Sequence, residues 1–150
     1  RLKNYLVSDT PSLIVLQVGI NDLKIIGLDK NLQDEVSKNL CRNIMAICQL
    51  CIERDIKLIL MGIIPVGKIE PLRRLVWNTG VNEALDSVNE ALKSMNDNEF
   101  IFYFDTNTLL SDTDMKVRPE LQYDFLHINE KGYEILSSAL SEQIKIISNN

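Results

Sequence analysis

The segment Tyr123-Asp124-Phe125-Leu126-His127 sets a carboxylate three residues ahead of the only histidine in the chain. In a turn, that spacing lets Asp124 reach the ring Nδ1–H of His127. Such a contact fixes the imidazole tautomer and stabilises the imidazolium that forms when Nε2 takes a proton. Histidine is also the side chain whose ordinary pKa, about 6.5, lies nearest neutrality, which suits general-base work. The same spacing occurs in surface turns that merely start a helix, and Asp-x-x-His by itself is short enough to favour that plainer reading.

A second cluster, Gly19-Ile20-Asn21-Asp22, follows an apolar run. Gly19 permits a sharp turn and a close approach by substrate. The Asn21 side-chain amide is a neutral donor suited to a developing oxyanion, a contact worth about 3 kcal/mol in a transition state. Gly, Asn and Asp are equally the residues of ordinary turns, so a plain strand-to-loop turn accounts for this segment taken alone.

Positioning both clusters is the work of alternating elements. Leu13-Ile14-Val15-Leu16-Gln17-Val18, Leu58-Ile59-Leu60-Met61 and Phe100-Ile101-Phe102-Tyr103-Phe104 are short apolar runs that suit strands of a parallel sheet buried on both faces. Between and after them, three stripes recur at three- and four-residue steps: Val36-Leu40-Ile44-Ile47-Cys51, Val81-Leu85-Val88-Leu92-Met95 and Leu136-Leu140-Ile144-Ile147. Each is one face of an amphipathic helix. Asn129 is placed to cap the last helix, with Glu130 in its first turn. Strand-helix alternation predicts a three-layer α/β/α domain with a parallel sheet and right-handed crossovers. Sites in such folds lie beyond the carboxyl ends of the strands, where both clusters fall. Three strands are few for such a sheet, so one or two further strands are expected on the N-terminal side. The chain reads as one domain, residues 1–150, incomplete at its start.

Composition narrows the functional classes. Hydrophobic residues make up 45% and charged residues 25% of the 150, an ordinary balance for a globular protein. The net charge of −5 argues against nucleic acid as a partner, since phosphate binding draws on basic patches. No apolar run approaches the roughly 18 residues of a membrane span. Cys41, Cys48 and Cys51 fall on one predicted helix. Their odd number is not a disulfide framework, and Cys48-x-x-Cys51 lacks a second ligand pair for a metal. They read as buried or half-buried thiols, with a slight lean to a reducing, cytoplasmic compartment.

Taken together, the clusters resemble the SGNH hydrolases, also called the GDSL lipase and acylhydrolase family. Residues 13–23, LIVLQVGINDL, look like that family's strand and Gly-x-Asn-Asp block. Residues 123–136, YDFLHINEKGYEIL, look like its closing block, with Gly132-Tyr133 as the Gly-Tyr pair of the last helix. The stretch IKLILMGIIPVG is similar to the intervening strand and its proline-containing exit. The resemblance runs from about Pro11 to Ile147 and implies a flavodoxin-like fold and a serine-type ester hydrolase. It implies His127 as base, Asp124 as its orienting acid and Asn21 as an oxyanion donor. Gly19 would be structural, and Asp22 would hold the loop by hydrogen bonds.

The family's Gly-Asp-Ser nucleophile block and its second oxyanion glycine are not found here. Ser8, Ser12, Ser37, Ser87, Ser94 and Ser111 lie in no such context, and residues 1–9 look like the helix that follows the glycine block. The nucleophile is therefore expected outside these residues, on the view that the sequence is a piece of a longer protein. A naturally short relative without activity is the competing view. Expected substrates are small-molecule esters, of lipids or acetylated carbohydrates, with no metal or organic cofactor. Residues 63–81 contain Pro65, Gly67, Pro71, Trp77 and Gly80. They are either a loop beside the pocket, with Leu75, Val76 and Trp77 as apolar contacts, or the start of the next helix. Arg73 and Arg74 fit a solvated face, with an anionic head group as the alternative. Two other functions fit the fold: a non-catalytic binding module, and a flavodoxin-like phosphate binder, for which no phosphate loop is visible.

Overall fold

The computed structural model describes residues 11–72 and 80–149. The expected helix over residues 1–9, and Arg73, Arg74, Leu75, Val76 and Trp77, lie outside them. The described elements are β1 (Leu13–Leu16), α1 (Ile20–Leu23), α2 (Gln33–Ile52), β2 (Lys57–Met61), α3 (Gly80–Lys93), β3 (Ile101–Phe104), α4 (Thr106–Leu110) and α5 (Glu130–Ser148). The three strands form a parallel sheet in the order β1-β2-β3.

Strand β2 shows how the layers arise. Successive strand residues point to opposite faces, so a strand covered on both sides must be apolar throughout. Leu58 and Leu60 join one core with Leu40 and Ile44 of α2, and Val81, Leu85 and Leu92 of α3. Ile59 and Met61 join the other with Leu110 of α4 and Leu136 and Ile147 of α5. Two helical layers thus enclose one sheet, as the alternation predicts. At the sheet edge the pattern weakens: Val15 in β1 is 39% exposed although its sequence is as apolar as that of β2.

The expected run into Gln17 and Val18 is shorter in the structure. The β1 ladder ends at Leu16, opposite Leu60. Val18 is 42% exposed, and Gly19 then turns the chain at φ +119°. The buried thiols also find their place. Cys48 and Cys51 lie in the core beside α2's Ile44, and Cys41 is half-buried. Burial, reinforced by the neighbouring Cys51, pushes the Cys48 thiol up to about 11, which suppresses the thiolate that redox chemistry needs. No helix among the described residues is long and apolar enough to cross a membrane.

Candidate active site

The site begins at two turns beyond the carboxyl ends of the strands. After β1, Gly19 is buried and adopts a conformation that L residues rarely take. A Cβ there would sit 2.5 Å from Ile63 Cδ1 and 3.1 Å from Leu40 Cδ2, so both the backbone and the space demand glycine. The Gly19 carbonyl accepts the N–H groups of Asp22 and Leu23, each at 3.0 Å, which starts α1. Asp22 contributes only its backbone N–H to this turn, and the residue is exposed. Asn21 is also exposed. Its Oδ1 accepts a hydrogen bond from Lys24 Nζ at 3.0 Å. Lysine only donates, so Oδ1 is the accepting end of this contact, and among the described residues Nδ2 has no hydrogen-bond partner.

Before α5 the chain makes a small hairpin. Gln122 and Ile128 pair across its base as an isolated antiparallel bridge, and the N–H groups of Tyr123 and Asp124 both donate to the His127 carbonyl. Its tip is organised by one carboxylate. Asp124 Oδ1 accepts the backbone N–H groups of Leu126 and His127, each at 2.8 Å. His127 Nδ1 lies 2.9 Å from Oδ1 and 2.8 Å from Oδ2 of the same carboxylate. Partial burial pushes the Asp124 carboxyl up, but the imidazole contact and the two backbone N–H groups outweigh it, and the group is held below its ordinary value. The backbone bonds give the turn, and because a carboxylate only accepts, the ring bond calls for the hydrogen on Nδ1. Among the described residues Nε2 has no hydrogen-bond partner.

Helix α5 then packs directly on this hairpin. Asn129 caps it as expected, its side chain accepting Gly132 N–H at 3.1 Å. Gly132 has no room for a side chain, since a Cβ would lie 2.8 Å from Ile128 Cβ and 3.2 Å from the Leu121 carbonyl. That close approach is the physical content of the Gly-Tyr pair.

The two turns meet across one cleft of about 190 Å³. Val18 and Ile20 line one side, Leu126, His127 and Tyr133 the other, and Ile63 and Ile64 form the wall between them. Ile20 lines it, whereas its neighbour Asn21 is not among the lining residues. No described serine lines it either.

Sequence reading missed what fixes the wall. Asn89 of α3 is buried, and its side chain accepts Ile63 N–H at 2.7 Å and donates to the Ile63 carbonyl at 2.9 Å. Thr106 Oγ1 donates to the Gly62 carbonyl just before it, at 3.0 Å. The one available signal was an asparagine at a stripe position, four residues after Leu85. Asn89→Leu leaves two buried backbone groups unpaired and is expected to cost about 2–5 kcal/mol. A thermal melt should show the midpoint lowered by roughly 5–15 °C; an unchanged midpoint would mean that water serves Ile63 as well.

Comparisons with known proteins fit this architecture. A family model described as GDSL-like Lipase/Acylhydrolase family matches residues 2–135. A GDSL-like lipase from Bacteroides thetaiotaomicron superposes with a TM-score of 0.68 at 20% identity, covering 91% of this chain and 63% of that one. The aryl esterase of M. smegmatis gives a TM-score of 0.70 at 15% identity, covering 97% and 66%. A carbohydrate acetylesterase family member from Sinorhizobium meliloti gives 0.67 at 15% identity, covering 99% and 68%. At these identities the likeness speaks for the fold, which is that of the SGNH hydrolases, and the chain spans less than two thirds of the Bacteroides lipase. No curated protein matches the chain.

Proposed function

Because the chain belongs to the GDSL-like lipase/acylhydrolase family, we propose that its cleft is part of a serine esterase centre, with His127 as general base, Asp124 as its orienting acid and Asn21, outside the lining but next to the lining residue Ile20, as an oxyanion donor. The observation that carries this reading is the Asp124 carboxylate at 2.8 and 2.9 Å from His127 Nδ1, on a ring whose other nitrogen has no partner among the described residues. We place the nucleophilic serine outside these 150 residues.

The proposed cycle is acyl transfer to water. The serine hydroxyl adds to the ester carbonyl while His127 Nε2 takes its proton. The carbonyl π electrons move to oxygen, and the Asn21 amide donates to that oxyanion. As the tetrahedral adduct collapses, the ester C–O bond breaks and His127 returns the proton to the departing alcohol. Water then repeats the sequence on the acyl-enzyme and releases the acid. The residues need no metal or organic cofactor for these steps. The apolar wall of Ile63 and Ile64 suits the hydrocarbon part of an ester. Similar structures include an aryl esterase and a carbohydrate acetylesterase family member, and the substrates proposed for this chain are small-molecule esters of lipids or acetylated carbohydrates.

The test is hydrolysis of short-chain aryl esters by the complete protein and by Asn21→Ala. Losing one oxyanion donor should lower kcat about 100-fold with little change in KM. Equal kcat in the two proteins would remove Asn21 from the oxyanion site, and absence of hydrolysis by the complete protein would remove the esterase reading.

A further inference from the structure

Among the described residues, no strand pairing ties the His127 hairpin to the sheet. Among the same residues, three hydrogen bonds that link it to the β2 exit stand out, and a single side chain makes two of them. Gln122 Oε1 accepts Lys68 N–H at 2.9 Å, and Gln122 Nε2 donates to the Lys68 carbonyl at 2.8 Å. Gly67 N–H donates to the Phe125 carbonyl at 2.9 Å. A primary amide matches a peptide unit donor to acceptor and acceptor to donor, so Gln122 acts as a short strand segment at the base of the hairpin. Four and five residues before Lys68 the same segment carries Ile64 and Ile63, the wall of the cleft that His127 lines. Asn89 clasps that segment at Ile63 in the same two-handed way.

We infer that Gln122 is a positioning residue: its amide clasp on Lys68 holds the His127 hairpin against the Ile63–Ile64 wall and so sets the reach of Nε2 into the cleft. The inference rests on the esterase reading above. A general base must lie within hydrogen-bond reach of the hydroxyl it deprotonates, and a misplacement of about 1 Å in a catalytic group can cost about 100-fold. The clasp can be broken from either side. Gln122→Met keeps the length of the side chain and removes both hydrogen bonds. Gly67→Ala leaves Gln122 intact but puts a Cβ 2.7 Å from its Cδ and 2.8 Å from its Oε1. Movement of a free glutamine end would be cheap, but here it requires giving up the Lys68 contacts.

The experiment is steady-state hydrolysis of a short-chain aryl ester by the complete protein, Gln122→Met, Gly67→Ala, the double variant and His127→Ala. Rates are normalised to the folded fraction from near-UV circular dichroism. The expected result is kcat lowered about 10- to 100-fold in each single variant, with KM within about threefold, and a double variant no worse than the poorer single, because both changes break one clasp. Full kcat per folded molecule in Gln122→Met, or a fall explained entirely by unfolding, overturns the positioning role. So does a double variant whose losses multiply. Unchanged turnover in His127→Ala would overturn the esterase reading and this inference with it. An inactive His127→Ala beside a fully active Gln122→Met would overturn this inference alone.

Discussion

His127→Ala in the complete protein is expected to lower kcat/KM for an aryl ester by about 10⁴- to 10⁶-fold, the scale on which a Ser-His pair fails without its base. The loss should not come from unfolding. The imidazole is 64% exposed, and the two hydrogen bonds that close the hairpin tip use the backbone N–H groups of Leu126 and His127, which alanine retains. Exposed substitutions of this kind usually change stability by no more than about 0.5 kcal/mol, so the melt should stay nearly in place while activity disappears. Comparison of kcat/KM and thermal midpoint on one preparation checks both halves.

Asp124→Asn is the subtler and nearly as damaging change. The two backbone N–H groups will still seek the side-chain oxygen, because Asn keeps Oδ1 as an acceptor. That geometry turns Nδ2 toward the imidazole, where it can only donate. Nδ1 must then carry the lone pair and Nε2 the hydrogen, the tautomer that cannot accept a proton from serine. A loss of about 10³- to 10⁴-fold in kcat is expected with the hairpin intact. Near-wild-type kcat would show that tautomer choice is set elsewhere.

The same carboxylate gives a pH signature. Asp124 is held below its ordinary value, so the stability it contributes is fully present above the ordinary aspartate range, about 3.9, and is lost as pH falls through the depressed folded value. Between pH 5 and 8 it stays ionised, and changes of rate there do not come from it. The part of the stability gap between wild type and Asp124→Asn that comes from the carboxylate's own titration should therefore narrow on the acid side of about pH 4, as acid melts can show.

What the sequence disclosed follows the range of each interaction. The Asp124–His127 contact spans three residues, and the Asn129 cap likewise lies three residues from Gly132. Both are local, so residue types and spacing carry them. The layers were legible because β2 is apolar at every position that both cores claim. Position in the sheet was not, since Val15 and Ile59 belong to equally apolar runs yet one is 39% exposed and the other buried. The two amide clasps were also hidden. Asn89 and Gln122 bind backbone groups 26 and 54 residues away, and a backbone partner leaves no mark in the sequence. The carboxyl end of β1 is overrun for a related reason: Gln17 and Val18 suit a strand, but the β1–β2 ladder ends at the Leu16–Leu60 pair.

The most direct measurement is covalent labelling of the complete protein with a fluorophosphonate, followed by mapping of the modified residue and comparison of rates with His127→Ala. The expected result is one labelled serine outside these 150 residues, modified at least about 10³-fold more slowly without the imidazole. Labelling at the wild-type rate in His127→Ala, or no labelled serine in an ester-hydrolysing protein, would contradict the assignment of His127 as the base.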